Sequence, residues 1–89
     1  MTNYIIIMYT DIFRPKDLER ISNLSESFPC ITELTIDLND CDKVLRVASA
    51  RDISRLLIDY LEIEDIRCKL MGVYQRIEEK VTVLFELKN

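Results

Sequence analysis

The order in which two hydrophobic periods follow one another constrains the fold of this chain more than any single residue. Tyr4 to Thr10 form an apolar, β-branched-rich run of strand length. Pro15 sits where a first helical residue tolerates it, because that N–H would be unpaired anyway. Leu18, Ile21 and Leu24, with Phe28 a turn further on, draw one apolar helix stripe, and Pro29 forces the residue before it out of helical angles. From Ile31 to Leu38 the period changes to two: Leu34, Ile36 and Leu38 point one way, Glu33, Thr35 and Asp37 the other. The polar turn Asn39-Asp40-Cys41-Asp42 leads into a third strand over Val44 to Ala48, with Leu45 and Val47 toward the core and Arg46 away.

Ser49-Ala50-Arg51-Asp52 matches a capping box with Ser49 as N-cap. The helix it predicts carries Ile53, Leu56, Leu57, Tyr60 and Leu61 on one stripe and ends near Glu62 to Asp65. Ile66 to Ile77 read as a long strand interrupted at Gly72 by a bulge or bend. A last strand, Val81 to Lys88, follows the turn Glu78-Glu79-Lys80. The order is β-α-β-β-α-β with one strand more. Short connections and right-handed crossovers make this an α+β, ferredoxin-like sandwich over residues 1–89: two helices on one face of an antiparallel sheet. The expected strand order is 4-1-3-2, with the added strand beside the fourth.

Composition closes several routes to function. With 89 residues, a second hydrophobic core would not fit. The chain carries a net charge of −4 and no cluster of Lys and Arg, which disfavours nucleic acid as a partner. Its longest apolar run, Tyr4 to Tyr9, is far short of the roughly 20 residues of a membrane span, so no membrane role is expected. Three unpatterned cysteines make no disulfide framework, which points to a reducing cytoplasm. There is no histidine, the commonest general base and metal ligand, and no nucleophile elbow, so no enzyme is expected.

The residues Thr10-Asp11-Ile12 ending the first strand, Phe28-Pro29-Cys30-Ile31, and the run Thr32-Glu33-Leu34-Thr35-Ile36-Asp37-Leu38 together resemble a heavy-metal-associated domain over roughly Ile5 to Leu70. Asp37 to Arg46 is similar to a segment of small bacterial members that lack the metal motif. In that family a Cys-x-x-Cys loop before the first helix binds a soft cation such as Cu(I) or Zn(II). Here the corresponding positions are Arg14 and Asp17, a cation and a lone hard ligand, so the family's metal residues do not carry over.

The remaining candidates follow from the topology. Cys41 and Cys68 are expected near the end of the lost metal loop, with Cys30 at the opposite end. The strands bearing Cys41 and Cys68 are separated by two others, which puts them roughly 14 Å apart, too far to share a metal. A divergent metal-binding or trafficking role through Cys41 and Cys68, shared across a dimer, is the alternative reading; no metal or cofactor is otherwise expected. Asp37, Asp40 and Asp42 lack the further ligands and the glycine of a hard-cation loop. The leading candidate is the sheet face away from the helices. Ile5, Ile7 and Tyr9 are expected to face the helices, leaving Tyr4, Ile6 and Met8, joined by Val44 and Ala48, as an apolar interaction patch. The last strand is expected to be an edge, guarded by Glu86 and Lys88. The function expected is a protein-interaction or self-associating module, a homodimer or the partner of another protein.

Overall fold

A computed structural model describes residues 2–12, 14–39 and 43–87. Strand β1 (Thr2–Thr10) is followed by α1 (Pro15–Ser22) and α2 (Leu24–Ser27), then β2 (Ile31–Ile36), β3 (Leu45–Ser49), α3 (Ser54–Ile63), β4 (Cys68–Ile77) and β5 (Lys80–Glu86). The strands make one antiparallel sheet in the order β2-β3-β1-β4-β5. The architecture is α+β, with the helices packed on one face, and is compatible with a ferredoxin-like arrangement carrying an additional strand. β5 extends the sheet beside β4 and lies alongside it rather than over its open face.

One core cluster joins the sheet to the helices: Ile6 and Met8 of β1, Leu45 and Val47 of β3, Val73 of β4, Ile21, Leu24, Leu57 and Leu61 of the helices, with Ile12, Ile53 and Ile66 at the connections. This corrects the expected phase of β1. Ile6 and Met8 are 0% exposed, while Ile5, Ile7 and Tyr9 are half-buried on the other face. The reason is local. Every residue from Tyr4 to Tyr9 is apolar, so a period of two carries no phase within the run. Pairing supplies it: Ile6 lies opposite Val47 and Met8 opposite Leu45, whereas Ile7 lies opposite Arg46, which prefers water.

Helix α3 departs from expectation at its start and in its stripe. Ser49 is not an N-cap; it is fully buried in β3, and its hydroxyl donates to the Arg51 carbonyl. The N-cap is Ile53, and Asp52 just ahead of it makes a local turn, its Oδ1 receiving the Ser54 N–H at 3.1 Å and the Ser54 hydroxyl at 2.8 Å. The buried arc runs through Ile53, Leu57 and Leu61. Leu56, one residue or about 100° round from Leu57, is 54% exposed. At its far end α3 closes in a Schellman motif. The Ile66 N–H reaches the Leu61 carbonyl at 2.8 Å and the Asp65 N–H the Glu62 carbonyl at 3.0 Å, with Asp65 left-handed at φ 62°.

The expected irregularity in β4 is a bulge. Ile7 pairs with Gly72 and Met8 with Leu70, so Met71 is the extra residue. Gly72 beside it makes room for the Tyr74 side chain: a Cβ there would stand 2.7 Å from the Tyr74 hydroxyl and 2.9 Å from its ring, so the ring would have to move. The Tyr74 ring thus covers the sheet where Gly72 leaves a gap. The second strand ends at Ile36, two residues sooner than its alternation suggests, and Leu38 beyond it is exposed.

Candidate interaction surface

The loop between β1 and α1 holds an ion pair at the positions where the resemblance would place thiolates. Arg14 precedes α1 with extended backbone, and Asp17 is the third residue inside it. The Asp17 carboxylate is buried, 1% exposed. It accepts from Arg14 Nε at 3.1 Å and Arg14 Nη2 at 2.9 Å, and from the Arg14 backbone N–H at 3.3 Å. The last contact is the acidic half of a capping box, satisfying an orphan donor at the helix start. Hydrogen bonding to Asp17 raises the Arg14 pKa above the ordinary arginine value, partly offset by desolvation.

The pair continues across the molecule. Arg20 lies 3.9 Å from Asp17 Oδ1, contacts the Glu64 carboxylate at 3.0 Å and donates to the Glu64 carbonyl at 2.7 Å. A guanidinium at the end of α3 complements the helix dipole as well as the carboxylate. The chain Arg14–Asp17–Arg20–Glu64 therefore ties the start of α1 to the end of α3. It was not foreseen from the sequence, although the spacing of three between Arg14, Asp17 and Arg20 puts them on one side of a helix.

The cysteines do not form a cluster. Cys68 begins β4 opposite Thr10, while Cys30 precedes Ile31, which lies opposite Ser49 at the other end of the sheet. Cys41 lies outside the described residues, as do Asp40, Asp42 and Lys88. Burial, reinforced by Glu62 and Asp11, pushes the Cys68 thiol up to about 11, which keeps it protonated and poor as a metal ligand. The cleft beside it, about 350 Å³, is lined by Glu62, Asp65, Ile66, Arg67 and Cys68. Among the described residues, no three His, Cys, Asp or Glu side chains come together as a cation site.

The five residues expected to form the interaction patch are divided by the sheet. Tyr4 is half-buried on the helix side, its hydroxyl accepting from Gln75 Nε2 at 3.2 Å, and Ile6 and Met8 are core. Ala48, opposite Ile5, lies on the open face, and Val44 is half-buried ahead of β3. The open face is built instead from Ile5, Ile7 and Ala48, with Tyr74 opposite Ile5 and Val83 opposite Tyr74. Arg46, 3.8 Å from Glu33, borders it toward β2. This apolar strip runs outward to β5, every residue of which is exposed. Val81, Val83, Leu84 and Phe85 keep between 43% and 53% of their surface in solvent. β5 also carries a bulge, because Val73 pairs with Phe85 and Tyr74 with Val83, leaving Leu84 extra.

No protein-family model, no curated protein and no solved structure matches this chain. Among the described residues no helix is long and apolar enough to cross a membrane.

Proposed function

We propose that this chain is a non-enzymatic, cytoplasmic protein-interaction module that self-associates through the outer part of its sheet. In this reading it is a ferredoxin-like unit allied to heavy-metal-associated domains, with the metal loop replaced by an internal ion pair. The observation that carries the proposal is β5: a seven-residue edge strand whose Val81, Val83, Leu84 and Phe85 are all exposed. An edge of this kind, continuous with an apolar strip, is a template for another chain. The Arg14–Asp17 pair and the protonated Cys68 thiol support a function without metal.

Native mass spectrometry of the reduced protein, with and without anaerobic Cu(I) and Zn(II), tests this reading. The expected result is an assembly of two or more chains that takes up no metal and that Val83→Lys, a change at an exposed position, dissociates. A chain that stays monomeric at high concentration, an assembly indifferent to Val83→Lys, or one tightly held ion per chain overturns it.

A further inference from the structure

We draw no further inference here: the strongest candidate, the apolar surface of the two outer strands with Ile77 and Phe85 exposed on the helix side and Val81 and Val83 on the open face, carries nothing because nothing in the structure shows what covers it.

Discussion

Three consecutive isoleucines, Ile5, Ile6 and Ile7, provide an internal control for the phase of the central strand. All three have the same side chain, the same strand environment and the same loss of β propensity on replacement by alanine, so those terms cancel in the comparison. They differ in what their side chains touch. Ile6 is completely buried in the core, and Val47 and Val73 on the two flanking strands lie opposite it, whereas Ile5 and Ile7 are half-exposed on the open face. Removing a fully buried isoleucine forfeits its transfer free energy and leaves a cavity, for a loss of about 3–4 kcal/mol. At Ile5 or Ile7 the removed atoms are partly solvated and no closed cavity forms, so the loss is about 1 kcal/mol. For a domain of this size the Ile6→Ala loss lowers Tm by roughly 15–25 °C, and each neighbour's by about 5 °C. Urea unfolding followed by circular dichroism, with the slope unchanged, is the assay. Equal losses at the three positions, or a larger one at Ile7 than at Ile6, would refute the placement of β1 and with it the register to β3.

Gly72→Ala should cost about 1 kcal/mol, because the new Cβ displaces the Tyr74 ring. In a double-mutant cycle, Tyr74→Ala should abolish most of that cost. Asp65→Gly should raise stability by about 0.5–1 kcal/mol, since the left-handed position closing α3 favours a residue without Cβ; thermal melts check this. The folded Cys68 thiol, raised to about 11, stays neutral at pH values where an unfolded thiol ionises. Its alkylation rate should therefore keep rising with pH through about 11 rather than level off near 9. Because the raised pKa favours the protonated form, the associated stability is fully present below the unfolded thiol's pKa and is lost as pH rises through about 11. Cys68→Ala should remove that part of the alkaline decline.

What the sequence made legible was the alternation of periods. Helix stripes, the one-sided alternation of Leu34 and Ile36 and the outward Arg46 were enough to order the elements, because each element contains both apolar and polar residues. The phase of β1 was not legible, since an unbroken apolar run fits either face, and only its pairing to β3 decides between them. Ser49 misled for a related reason. A serine three residues ahead of an acid fits a cap equally well whether the chain has already turned or, as here, is still in a strand with the hydroxyl folded back on Arg51. At the candidate site, the edge position of the last strand followed from its place after the fourth, but its exposure did not: Val81, Val83 and Phe85 are apolar, and the bulge at Leu84 that sets Phe85 on the other face from Val83 has no local signal. The ion pair linking α1 to the end of α3 required Glu64 to be near Arg20, a distance no local pattern encodes.

The central position of β1 has a consequence for the order of events in folding. β1 is the earliest strand of the sheet to be synthesised, yet one of its neighbours, β4, comes from the other end of the described chain, with Thr2 opposite Ile77. Closing so long a loop must precede the contacts that reward it, which slows folding relative to helical domains of similar size. Until β4 arrives, the run Tyr4 to Tyr9 has at most one flank covered. A nascent chain therefore carries this unbroken apolar run with one flank uncovered until β4 has been made.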